Sequence, residues 1–145
     1  IKALEEGNYN YIDRAKLDPR AGLMAAYDAD VFLSSANAIT DDGIMVNIDG
    51  NSNRVSCIAQ GPKKVVFIVG INKVCSDLDA AMKRARNVAA PVNAQRFEVK
   101  TPCKTTGKCF DCKSPDTICC QFLITRYSRH TGRIHVILVN DNLGF

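Results

Sequence analysis

The chain has no tryptophan, only two histidines and no long hydrophobic run. Its longest apolar stretch, Val65 to Ile71, falls far short of the roughly 20 residues that a membrane helix needs. No basic, then apolar, then small-residue leader pattern opens the sequence. A soluble protein with no membrane span is therefore expected. Without tryptophan, and without a ladder of basic residues interleaved with aromatics, nucleic acid is not an expected partner. The seven cysteines are odd in number and follow no secretion signal, which argues against a disulfide framework. Free thiols belong in a reducing compartment, so the expected localisation is cytoplasmic.

What is present is enough for one core. A chain of 145 residues, 46% of them hydrophobic, can bury about two thirds of its unfolded surface. One α/β domain spanning residues 1–145 is the expectation. The net charge of +4 is unevenly placed: residues 1–62 hold five basic and nine acidic side chains, and residues 63–145 hold fourteen and six. The basic half suits a small anionic ligand, although most of that charge is expected to be solvated.

IKALEEGNY reads as the last turns of a helix ended by Gly7, so the chain is expected to begin mid-domain. Tyr9 to Ile12 favours β structure, and Asp18 before Pro19 starts a helix over 19–28. Residues 30–33 read as a strand, Ile44 to Ile48 as a second within a hairpin-like excursion, and Arg54 to Gln60 as a helix. KVVFIVG at 64–70 is apolar through its middle, the pattern of a central parallel strand covered on both faces. Ser76 and Asp79 resemble a capping box, and the helix they begin is expected to stop before Pro91. Lys83, Arg84 and Arg86 fall largely on its polar side. Gln121 to Tyr127 and Arg133 to Asn140 close the chain as two strands, a pair expected to add an antiparallel edge. Alternating strands and helices give an α/β fold: an open, mostly parallel sheet flanked by helices.

Five of the seven cysteines lie in TPCKTTGKCFDCKSPDTICC, residues 101–120. Cys109 and Cys112 have the two-residue spacing that lets two thiolates reach one metal ion, and Cys103 and Cys119 would complete four ligands for zinc or an iron–sulfur cluster. Cys120 is spare. The competing reading is that these thiols pack as small hydrophobes. Cys57 and Cys75 have no adjacent histidine to activate them; His135 reads as a sheet histidine and His130 as a turn residue.

Polar loops at the carboxyl ends of parallel strands line a crevice beside the sheet, which makes Asn37, Thr40, Asp41, Asp49, Asn53 and Arg54 candidates for a ligand site. Asp49 could act as a carboxylate base and Arg54 could fork onto a carboxylate or phosphate. Asn, Asp and Gly are also ordinary turn residues. Asn72 and Lys73 follow the central strand directly and join the same set.

The pieces NAITDDGIMVNIDGNSNRV, GPKKVVFIVGINKV, AAPVNAQR, TPCKTTGKCFDCKSPDTIC and IHVILVNDNLGF together resemble the LUD domain, the lactate-utilisation protein family. The resemblance implies a fold similar to the sugar-phosphate isomerase and coenzyme A transferase group. It also implies a link to organic-acid oxidation beside iron–sulfur oxidoreductase subunits, with this chain as an accessory or ligand-binding component. Two alternatives are an isomerase- or transferase-type enzyme using Asp49 on a small phosphorylated or acyl substrate, and a cysteine-ligated metal module. Family domains usually start earlier, with a Gly- and Ser-rich turn, and Ser52 stands where a second glycine is common.

Overall fold

The computed structural model describes residues 2–145. A short helix, α1 (Lys2–Glu5), leads into an irregular segment that includes Tyr9 to Ile12, so no strand forms there. Helix α2 (Pro19–Asp28) starts as its sequence requires, because the Asp18 carboxylate accepts from the free amides of Arg20 and Ala21 and Pro19 needs no partner for its nitrogen. Strand β1 (Val31–Ser34) follows, and then β2 (Ala38–Thr40) and β3 (Met45–Asp49) fold into the expected hairpin. Helix α3 (Asn53–Ala59) leads to strand β4 (Lys64–Gly70). A single 3-10 turn, Ile71–Lys73, then gives way to β5 (Val74–Cys75).

Helix α4 (Leu78–Arg84) corrects two expectations. Its cap is Asp77, whose carboxylate accepts from the Ala80 amide, while the Ser76 hydroxyl donates to that same carboxylate. Nor does the helix stop before Pro91. It widens into a π-helical stretch over Ala85–Ala89 and continues as α5 (Ala90–Ala94). The amide of Ala90 bonds back to the carbonyl of Ala85, and this wider register accommodates a proline that has no amide to contribute. Helix α6 (Pro102–Thr106) ends at Gly107 in the left-handed conformation. Strands β6 (Gln121–Thr125) and β7 (Ile134–Val139) complete the chain.

The strands form two sheets. One is wholly parallel, in the order β1-β4-β7; the other is mixed, in the order β5-β2-β3-β6. The closing strands thus part company: β6 adds an antiparallel edge to β3, and β7 joins β4 in parallel. The α/β class holds, with β4 central in the parallel sheet as its sequence suggests. Cover on both faces does not hold. Phe32, Val65, Phe67 and Val69 point into the core with Cys57 and Ile58 of α3, whereas Val31, Leu33 and Ile68 alternate outward and are 40–46% exposed. The long amphipathic helix packs elsewhere: Ala81 and Ala85 lie against Ala38, Val46 and Ile48 of the mixed sheet. That sheet is therefore enclosed between α4 and the main core. His135 lies on the exposed part of β7, its ring nitrogen 2.8 Å from the carbonyl oxygen of Gly132.

Gly70 ends β4 under the C-terminal segment. A methyl group there would overlap Asn72 Oδ1 and the backbone of Asp141 and Leu143, so only glycine lets that segment close over the strand end. Phe67 is fully buried at the centre of the core. Replacing it with alanine is expected to lower stability by about 3–5 kcal/mol, measured by chemical denaturation; a loss under about 1 kcal/mol would contradict this packing.

Candidate functional site: a cationic crevice at the strand ends

Where β1 and β4 end, the chain leaves the parallel sheet at Ser35–Asn37 and at Ile71–Lys73. Helix α3 adds Arg54 and α4 adds Arg84 to the same place. Arg54 donates through Nη2 to Asn37 Oδ1 (3.0 Å) and to the Ile48 carbonyl (2.7 Å). Arg84 donates through Nε to the Asn72 carbonyl (3.0 Å) and through Nη1 to the Asn37 carbonyl. Lys73, only 4% exposed, places its amine 3.0 Å from Ser35 Oγ. None of these three cations makes a salt bridge among the described residues.

Burial first, and then the charges of Arg84 and Arg54, hold the Lys73 amine below the ordinary lysine range. Burial also lowers Arg54 and Arg84, only partly offset by Asp49 beside the former. Both arginines stay charged at any physiological pH. Each guanidinium has five N–H groups, so neither is exhausted by the bonds above.

The sequence-derived candidates separate. Asn37, Arg54, Asn72 and Lys73 come together. Asp49 lies beside Arg54, but its Oδ2 accepts from the amides of Arg54 (2.8 Å) and Val55 (3.1 Å) and so caps α3, a task that Ser52 leaves undone. Asn53 begins α3, with its carbonyl facing Arg14 (3.4 Å). Thr40 and Asp41 sit at the far hairpin turn: Thr40 Oγ1 bonds Asp42 and the Ile44 amide, and the Asp41 amide bonds the Cys75 carbonyl. Sequence reasoning misses Ser35 and Arg84. Ser35 is a small polar residue at a strand's carboxyl end, which is a usable signal; Arg84 gives none, because helical periodicity puts it with Lys83 on the polar side.

The C-terminal residues cover these strand ends. Asn72 Nδ2 donates to the Gly144 carbonyl (3.3 Å), its Oδ1 accepts from the Leu143 amide (3.2 Å), and Ile71 N donates to the Asp141 carbonyl (3.2 Å). Gly144 adopts φ +61, and a Cβ there would stand 3.4 Å from Lys73 Nζ. Asn47, wholly buried on the same face of β3 as Asp49, has neither amide atom hydrogen-bonded among the described residues. Two surface hollows, one bordered by Asn87, Pro91 and Gly107 and one by Tyr9, Asp13 and Lys16, lie away from these groups, and in the second Lys16 is already paired with Glu5 and Asp13.

The cysteine segment crosses from α6 to β6 as irregular chain. Arg86 Nη2 donates to Cys109 Sγ (3.6 Å) and to Asp111 Oδ1 (2.7 Å). Thr117 Oγ1 accepts from the Cys112 thiol (3.7 Å) and from the Cys119 amide (3.3 Å). Thr101 Oγ1 lies 3.3 Å from the buried Cys103 thiol. Burial, followed by the neighbouring Cys103, Cys109, Cys112 and Cys120, pushes the Cys119 thiol up to about 11. The four expected ligands thus share one neighbourhood. Among the described residues, however, no three His, Cys, Asp or Glu side chains meet in an arrangement that could hold a metal ion.

An α/β protein with a parallel sheet whose strand ends gather three part-buried cations is the class this geometry defines. The chain belongs to the LUD domain family, whose profile matches residues 1–139, and membership associates it with lactate utilisation. No curated protein and no solved structure matches it. No helix among the described residues is long and apolar enough to cross a membrane.

The lowered Lys73 pKa has a definite consequence for stability. Between its folded and unfolded values the unfolded chain binds the extra proton, so stability rises with pH there. The penalty is fully present below the folded value and is gone above the ordinary lysine range. In Lys73→Met this part of the rise should vanish, as read from urea midpoints at alkaline pH; parallel profiles for the two proteins would refute it.

Proposed function

We propose that this protein is an accessory, ligand-binding component of lactate or related organic-acid utilisation, and that it holds a small carboxylate among Arg54, Lys73 and Arg84. The observation that carries this reading is the gathering of three part-buried cations, none of which makes a salt bridge among the described residues, at the carboxyl ends of two parallel strands. Open α/β sheets bind ligands at that edge, and an entering anion would offset the cost of holding these charges away from water. The uncommitted N–H groups of the guanidinium forks match the two oxygens of a carboxylate. Iron–sulfur oxidoreductase subunits as partners, a cytoplasmic location and one LUD-like domain spanning residues 1–145 belong to the same proposal.

The enzyme reading, with Asp49 as base on a phosphorylated or acyl substrate, fits the geometry less well. A carboxylate oxygen that already accepts two helix amides is a cap, poorly placed to take a substrate proton.

Titration calorimetry with L-lactate, pyruvate and inorganic phosphate tests the site. Lactate and pyruvate should bind, and Arg84→Gln should weaken them about ten- to hundredfold, the range for losing a charged hydrogen bond. Binding of phosphate alone would favour the enzyme reading, and absence of heat with all three would remove the site.

A second reading concerns the cysteine crossover. The gathering of Cys103, Cys109, Cys112 and Cys119 favours zinc or an iron–sulfur cluster, but the thiols would have to close on a common centre to form it. Elemental analysis of anaerobically purified protein decides the matter. Stoichiometric zinc or iron that is lost in Cys109→Ser would support ligation; metal-free, fully folded protein would discard it.

A further inference from the structure

Among these cations one group can do more than bind. Lys73, 4% exposed, presents a primary amine that makes no salt bridge among the described residues and is positioned by a hydrogen bond to Ser35 Oγ at 3.0 Å. Anchoring an anion requires only charge, which the two guanidiniums already supply. Lys73 is withdrawn from water, flanked by two guanidiniums, and roofed by the backbone of Gly144. A desolvated lysine beside other cations is the arrangement that makes an amine nucleophilic.

We propose that Lys73 forms an imine with the carbonyl carbon of a small 2-oxo acid whose carboxylate is held by Arg54 and Arg84. The inference rests on the carboxylate-binding reading above and names the chemical class within it.

The step balances without an added oxidant or reductant. The neutral Nζ attacks the ketone carbon, giving a carbinolamine. The former ketone oxygen then leaves as water, carrying both protons that the amine gives up, and a C=N bond replaces C=O. Ser35 Oγ, in contact with Nζ, is placed to pass a proton between the nitrogen and the departing oxygen. A 2-hydroxy acid has no carbonyl to attack, so it would occupy the same cationic pair without reacting. Exclusion of water by the C-terminal strap, through the Asn72 bonds to Leu143 and Gly144, would protect the imine from hydrolysis.

The test is borohydride reduction of the full chain with pyruvate, followed by peptide mapping by mass spectrometry, with L-lactate as a parallel sample and calorimetry on both ligands. The expected result is one reduced pyruvate adduct, on the peptide carrying Lys73, at high occupancy and absent with lactate. Ser35→Ala should slow its accumulation several-fold while pyruvate still binds. Adducts spread evenly over the exposed lysines would overturn the proposal. Calorimetric binding of pyruvate with no adduct would also overturn it and leave the carboxylate site standing. No binding and no adduct would remove both. Because the map is made on the unmodified sequence, the result does not depend on a Lys73 variant folding.

Discussion

One guanidinium ties together the two strand ends of the parallel sheet. Arg84 reaches from α4 and bonds the carbonyls of Asn37 and Asn72, the two places where the chain has just left the parallel sheet. It can do so because Ala81 and Ala85, both fully buried, let the helix lie close to the mixed sheet, so that the long arginine stem passes over it. The bonds do more than satisfy carbonyls. They fix the loop after β1 relative to the loop after β4, and so set the separation between Ser35 and Lys73. Leaving those carbonyls and a buried charge unpaired would cost more than the net worth of the bonds themselves.

The two-sheet arrangement explains where the crevice lies. The β2–β3 hairpin leaves the parallel sheet after β1, and the chain returns to it through α3. Arg54 sits at the first turn of that helix, over Asn37. Asp49 makes this geometry firm: it caps α3 at the very residue whose side chain points into the crevice, so backbone and side chain of Arg54 are held at once. The outer face of the parallel sheet, with Val31, Leu33 and Ile68 exposed, takes no part in this construction.

Much of this is legible in the residues, and the failures have physical causes. The run at 64–70 marks the central strand correctly, because its consecutive strand-favouring residues leave few alternatives; whether both its faces are covered depends on where α4 goes, a tertiary fact. Asp18-Pro19 marks a helix start that local hydrogen bonding alone explains. At Ser76 the local rule chooses the wrong neighbour, since serine and aspartate compete for the same amides and the stronger acceptor wins. At Pro91 the rule against helix is met by a π-helical turn, which periodicity does not reveal. Asn37, Arg54, Asn72 and Lys73 can be found because they follow strands. Arg84 is hidden because its acceptors lie 47 and 12 residues away in the chain. The cysteine spacing correctly signals a cluster of thiols, but spacing does not say whether an arginine stands against one of them, as Arg86 does against Cys109.

If the proposed site is occupied as argued above, its electrostatics would distinguish two occupants that differ only in the oxidation state of one carbon. Arg54 and Arg84 are charged at any physiological pH, and the carbonyl oxygens around them stabilise those charges with fixed dipoles. Lys73 is the one group whose charge can yield. A bound hydroxy acid contributes only its negative charge, and by linkage it draws a proton onto Lys73, because each favours the other. A bound oxo acid has the same carboxylate but offers a carbon that consumes the neutral amine. On the proposed reading the hydroxy acid would be retained as an ion pair and the oxo acid as a covalent adduct. Discrimination between them would reside in Lys73, since the arginine pair would meet the same carboxylate in both.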